Sequence, residues 1–180
     1  MIDPIFRDWL EQQQEQGMAL AAETDLMQLD AVDDPRARYD SVPQAFIAKF
    51  FCKGLVQKAG GEIGVAEEFH VGIWFPSDHL RKARPQELVT WLHPAGVWHP
   101  NIRPPFVCVG HVCAGAELVN LLYECFEMIT YQNFATHDSL NDAAAEWARN
   151  HSGQLPVDRR PLKWRKAMEV DQTPSEVGVP

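Results

Sequence analysis

The sequence predicts an α+β domain, with an antiparallel meander set between helices. Three observations predict it. Apolar residues at helical spacing open the chain, short strand-like runs fill residues 44–93, and helical spacing returns from about residue 116. Helices first, then strands, then helices is the order of that class, and strands joined by connections this tight pair antiparallel.

The first helix is expected over residues 4–31. Asp3-Pro4 is a cap followed by a first-turn proline, and Ile5, Phe6, Trp9 and Leu10 form an apolar stripe. Gly17 is expected to divide this segment, with residues 18–31 as a second helix. "EQQQEQ" (11–16) is entirely polar, so the first helix is not expected to lie along a core over its full length. Its first turns fold back onto the domain or present Trp9 to another protein, and folding back is the expectation because exposed aromatic patches are costly for a soluble monomer. Residues 32–43 read as a connector. Strands are expected at 44–56, 68–75 and 87–93, each rich in aliphatic and aromatic residues and bounded by turn signals such as "KAGG" and Pro76. Leu118, Leu121, Leu122, Cys125, Phe126 and Ile129 define a buried helix over about 116–131. "SLNDAAAEWARNH" (139–151) predicts another, capped by Ser139 or Asn141. The organisation expected is an amino-terminal helical extension (1–17), a domain (18–151) and a proline-containing, extended tail (152–180).

At 180 residues the chain is long enough for one domain with a core. Hydrophobic residues make up 46% and charged residues 23%, the balance of a soluble globular protein. The formal net charge of −9 argues against a general nucleic-acid binder, whose footprint would be basic. The basic run "RRPLKWRK" (159–166) reads as a solvated surface tail. No apolar stretch is long enough to span a bilayer, and the start carries no signal-peptide pattern, so a cytoplasmic protein without a membrane partner is expected. Cys52, Cys108, Cys113 and Cys125 form no CxxC pair and are expected as free thiols. The histidines lack the close-paired spacing of a structural zinc site, so no metal and no cofactor are expected.

One stretch carries more than fold information. "FHVGIWFPSDHLRKARPQELVTWLHPAGVWHPNI" (69–102) resembles the strand, Phe-Pro turn, proline-containing loop, strand and His-Pro-Asn sequence of ubiquitin-conjugating enzymes. "HDSLNDAAAEWARN" (137–150) resembles that family's acidic stretch, Leu-Asn and alanine-rich helix. The similarity covers roughly residues 18 to 151. It implies a four-stranded antiparallel meander packed against helices, and thioester transfer as the chemistry. A cysteine accepts the carboxyl terminus of a ubiquitin-like modifier from an activating-enzyme-like protein, and an amine then attacks the thioester.

The resemblance also implies roles. Asn101 supplies a hydrogen bond to the tetrahedral oxyanion, a donor worth about 3 kcal/mol in acyl transfer, or supports a loop. His99 and Pro100 brace the turn. Cys108 lies seven residues past Asn101, close to the family's spacing. Cys113, in "GHVC", copies the family's Gly-x-Ile-Cys but lies twelve past. Cys108 is therefore the implied nucleophile and Cys113 the alternative, while either thiol also reads as a small buried hydrophobe. Cys52 and Cys125 read as core. Asp138 matches the family's aspartate before the Leu-Asn helix, where it would orient or deprotonate the amine; it equally fits a helix-terminal charge.

His79-Leu80 stands where the family has Tyr-Pro, the double proline is reduced to Arg84-Pro85, and "RPPF" (103–106) intervenes between asparagine and cysteine. The pattern resembles divergent bacterial ubiquitin-conjugating-like proteins, which implies a deubiquitinase-like partner as well. Two other readings stand beside this one. Cys108 and His111 would form a protease-like dyad, but nothing supplies its orienting partner. A non-enzymatic binding module of the same fold would hold a modifier or partner without transferring it.

Overall fold

The computed structural model describes residues 3–32 and 42–163. Most of the connector expected at 32–43, the end of the basic run and the tail from 164 lie outside the described residues.

Helix α1 (Pro4–Ala22) starts as expected, the Asp3 carboxylate accepting from the Ile5 N–H at 3.0 Å. The expected break at Gly17 is absent. Phe6, Leu10, Gln13, Gly17 and Leu20 form one buried stripe along the whole helix. A methyl group on Gly17 would lie 2.7 Å from Leu29 Cδ2 and 2.8 Å from Leu118 Cδ2, so this glycine permits close packing rather than breaking the helix. The polar run is accommodated in the same way: Gln13 is buried because its Oε1 accepts from the Leu118 N–H at 2.8 Å. Trp9 is half-buried, edge-on to Phe75 and beside the His79 ring, so the first turns fold onto the domain as expected.

The second helix expected over 18–31 is also corrected. Its first part continues α1, and its second part is a strand, β1 (Met27–Val32). Met27 and Leu29 point inward and pair with Phe50 and Ala48, so sheet pairing overrides the local helix propensity. The run 44–56 divides into β2 (Ala45–Phe50) and β3 (Gly54–Gln57), and β3 pairs with a strand not expected from the sequence, β4 (Ile63–Ala66). The other expected strands are β5 (Phe69–Trp74) and β6 (Val89–His93), the latter preceded by a single helical turn, α2 (Pro85–Leu88). A short hairpin follows, β7 (Ile102–Arg103) and β8 (Phe106–Val107), built by the "RPPF" segment.

The result is a six-stranded antiparallel sheet in the order β1-β2-β5-β6-β8-β7, with β3-β4 as a separate hairpin. The sheet is thus wider than the four strands expected. Its inner face, including Phe46, Phe50, Val71, Ile73 and Trp91, is buried in one core with α1 and α3 (Leu118–Ile129). Helix α4 (Asp142–Asn150) packs through Ala144 and Ala148 into a smaller cluster with Leu55, Trp98 and Tyr131. The chain is therefore α+β. No helix among the described residues is long and apolar enough to cross a membrane.

The start of the expected tail is tied down. Asp158 is buried and accepts from the Lys53 N–H at 3.0 Å and the Arg160 N–H at 3.1 Å, with the Arg160 guanidinium on both its oxygens. The Arg160 bonds hold its carboxyl well below the usual carboxylate range. Leu162 is buried and Lys163 pairs with Glu23.

Gly17→Val should destabilise the fold by about 1–3 kcal/mol, the usual cost of overpacking a filled interface. Urea denaturation is the check. An unchanged midpoint would show that Leu29 and Leu118 yield freely.

Candidate active site

The sequence "GVWHPNI" emerges from β6 into a tight turn between the two hydrophobic clusters. The Trp98 N–H donates to Leu55 O at 2.8 Å, and Trp98 O accepts from the Tyr131 hydroxyl. The turn that follows is buried: His99 and Asn101 are 1% and 6% exposed. It is held by a local bond in which His99 Nδ1 accepts from the Asn101 N–H at 3.1 Å. That bond requires an unprotonated Nδ1, so the tautomer assigned from it is neutral with the proton on Nε2. Burial pushes the His99 pKa down to about 3, and the ring lies edge-on to Tyr131 at 4.6 Å between centroids.

The remaining polar groups of the turn hold the surrounding loops. Pro100 O accepts from the Leu140 N–H at 2.8 Å and the Asn141 N–H at 3.0 Å. Asn101 O accepts from the Cys108 N–H at 2.9 Å, and Asn101 Oδ1 from the Ala135 N–H at 2.9 Å. Asn101 thus spans two loops, a support role consistent with one of its two expected functions. Its side-chain amide nitrogen donates to no protein group among the described residues.

Cys108 and Cys113 are exposed, whereas Cys52 and Cys125 are buried. Burial pushes both buried thiols up to about 12, with the Asp158 charge adding to the effect at Cys52 and that of Glu124 at Cys125. Cys108 follows directly on β8 and lines a groove of about 400 Å³ with Pro85, Gln86, Phe106 and Leu140. Cys113 lines a separate groove of about 420 Å³ along α3, with His111, Glu124 and Glu127. Burial, and then the Glu127 charge, raise the Glu124 pKa. His111 lines the Cys113 groove and not the Cys108 groove.

Asp138 is exposed at a left-handed φ of 55°, a backbone region that aspartate tolerates better than most residues. It does not begin the helix. Asn141 caps α4, its Oδ1 accepting from the Ala144 N–H at 3.1 Å, and Asp142 supplies the first-turn charge. The helix-terminal reading of Asp138 is therefore replaced by a loop position two residues before Leu140, which itself lines the Cys108 groove. Among the described residues no three His, Cys, Asp or Glu side chains gather as a metal site requires.

Sequence reasoning did not find Tyr131, which leaves α3 at a φ of 59° and anchors Trp98, or the Ala135 amide. Both act across more than thirty residues of chain and carry no local motif. Comparisons with protein-family models and with curated proteins find no match.

Two of the four cysteines, Cys108 and Cys113, should react with iodoacetamide in the native protein at pH 7.5, and all four in denaturant. Peptide mass mapping reads this directly. Native labelling of Cys52 or Cys125 would contradict the packing.

His99 makes stability depend on pH. Its folded pKa of about 3 lies below the unfolded value of 6.5, so between these limits the unfolded chain binds the extra proton. The contribution is complete above pH 6.5 and is lost as pH falls toward 3, with a slope of at most about 1.4 kcal/mol per pH unit. Asp158, also depressed, acts only below about pH 4, the ordinary carboxylate range. His99→Asn keeps an acceptor for the Asn101 N–H but cannot titrate. Its deficit relative to the natural chain should shrink between pH 7 and pH 5 in denaturation curves. A constant deficit would show that His99 is not buried neutral.

Proposed function

We propose that the protein has the fold of ubiquitin-conjugating enzymes, carries a ubiquitin-like modifier as a thioester on Cys108, and transfers it to an amine. The observation that carries this reading is the Cys108 N–H to Asn101 O bond. It fastens an exposed thiol to a buried His-Pro-Asn turn that also holds the Asp138–Asn141 loop through Pro100 O. The antiparallel order β1-β2-β5-β6 supports the fold assignment.

In the first step Cys108 Sγ attacks the thioester carbonyl carbon on the activating-enzyme-like protein. A new C–S bond forms, the old one breaks, and the partner's thiol leaves. In the second step an amine nitrogen attacks the same carbon. The C–N bond forms, the bond to Cys108 breaks, and the amine's proton is released as the Cys108 thiolate departs. Asp138 orients or deprotonates the amine, and the Asn101 amide hydrogens face the oxyanion. His99 and Pro100 keep the turn in place and touch no substrate. A deubiquitinase-like protein reversing the modification completes the set of partners, and a cytoplasmic location follows from the same reading.

The test is charging with activating enzyme, modifier and ATP, read on a non-reducing gel. Cys108→Ser should lose the reducible adduct, and Cys113→Ser should keep it. The reverse result would make Cys113 the nucleophile, and a modifier that binds the natural chain without ever forming an adduct would favour the binding module. Asn101→Asp separates that residue's two roles, because it retains the acceptor for Ala135 and loses the amide donor. It should charge normally and discharge roughly a hundredfold more slowly, the scale of one lost oxyanion donor. Unchanged discharge would leave Asn101 a support only.

A further inference from the structure

We infer that the cavity between the β2–β3 link and residues 157–160 binds a phosphate monoester. Lys53, Arg159 and Arg160 hold its phosphoryl group, and Phe51 and Val157 its apolar body. The starting point is the basic run, for which the proposed chemistry has no use. Its first residues are built into the domain. Arg159 and Arg160 line a cavity of about 720 Å³ together with Phe51, Lys53, Glu67 and Val157. That cavity shares no lining residue with the grooves of Cys108 and Cys113, so the inference stands apart from the thioester reading.

Buried bonds hold the cationic wall in place. The carboxylate of Asp158 is filled by the Lys53 and Arg160 backbone N–H groups and by Arg160 Nε and Nη2. Gln132 Nε2 donates to Asp158 O at 3.1 Å and to Arg160 O at 3.0 Å, which fixes the backbone on both sides of Arg159. Arg160 Nη1 has no partner among the described residues, and neither do the Lys53 ammonium and the Arg159 guanidinium. Three cations thus line one cavity on a chain whose net charge is −9. A guanidinium already fixed by a carboxylate has less freedom left to lose when a ligand arrives.

The lining selects the ligand. Asp158 is compensated by its own donors, so Glu67 is the remaining acid against three positive groups. A phosphate monoester carries close to two negative charges and three strong acceptor oxygens, one for each cation. A carboxylate has two oxygens and would leave one cation unmatched. The volume is far above the need of a bare oxyanion and within the range of small-molecule sites, so the ligand has a body. Phe51 and Val157, both half-buried, give that body an apolar surface. Glu67 repels a second anionic group, so the phosphoryl group is the ligand's single anion. Glu23 and Asp25 line the adjoining cavity, where Lys163 pairs with Glu23, and neither acid pairs with Arg159 or Arg160 among the described residues.

Phenyl phosphate is the probe, titrated into the isotope-labelled full chain and followed by amide chemical shifts. The amides of residues 51–53 and 157–160 should move together and saturate, and no response up to about 10 mM would overturn the proposal. Inorganic phosphate lacks the body and benzoate the third oxygen, so each should bind about tenfold more weakly. Equal binding of either would overturn the assigned ligand class. Lys53→Ala and Arg159→Ala should each weaken phenyl phosphate about tenfold, the scale of one hydrogen bond to a charged group. Both side chains are exposed, and Lys53→Ala keeps the backbone N–H that holds Asp158, so urea midpoints should not move. Glu67→Gln should tighten binding. Unchanged affinity in both cation variants would mean adventitious binding and overturn the site. A tripeptide with a central phosphotyrosine separates the sources of the ligand. Affinity equal to that of phenyl phosphate assigns the site to a phosphorylated protein, weaker affinity assigns it to a free metabolite, and both results support the phosphoryl site.

Discussion

The loops that meet Cys108 hang from the backbone of one buried tripeptide, His99-Pro100-Asn101. Buried backbone carbonyls must find donors, and here the donors are the amides of Cys108, Leu140 and Asn141. The turn is buried, and its His99 is neutral and bonded within the turn itself. Main-chain atoms do most of the holding. The side chains around the groove are therefore free to differ without displacing the thiol.

A second constraint links the ends of the domain. Gln13 of α1 satisfies the Leu118 amide at the start of α3, and Gly17 lets the same two elements meet closely. Leu118 ends the segment that begins at Cys108, so the amino-terminal helix fixes the far end of the cysteine loop. His79 braces it midway, with Nε2 against Ala116 O at 2.9 Å and its carbonyl accepting from the Gly115 N–H at 2.9 Å. The Trp9, Phe75 and His79 rings join the first turns of α1 to this brace.

Much of this was legible in residue order. β5, β6, α3 and α4 carry strong periodicity, and Asn141 carries the chemistry of a cap. The burial of Cys125 followed from its place on the apolar face of α3. β1 was not legible, because "MQLDAV" continues a helix-forming alanine-rich segment and becomes a strand only by pairing with β2. Gln13 was misread for a related reason: a polar residue looks external until its distant partner is known. Within the site, Asn101 and Cys108 were recognisable as candidates, whereas the Ala135 amide and Tyr131 reach the turn from over thirty residues away. Asp138 could be numbered but not placed, since whether it began the helix depended on which nearby residue capped it.

The β7-β8 hairpin has a consequence for the edges of the sheet. A long, flat edge strand is a template on which other chains can add, and proteins guard against this with short strands and prolines. At the cysteine end of the sheet the outermost strand is only two residues long, and Pro104 and Pro105 close the hairpin. That edge cannot seed a ladder. The opposite edge is β1, six residues long and paired on one side only among the described residues. Polymerisation or strand capture would therefore begin at β1, on the far side of the sheet from the exposed Cys108 thiol, so growth there would leave that thiol open.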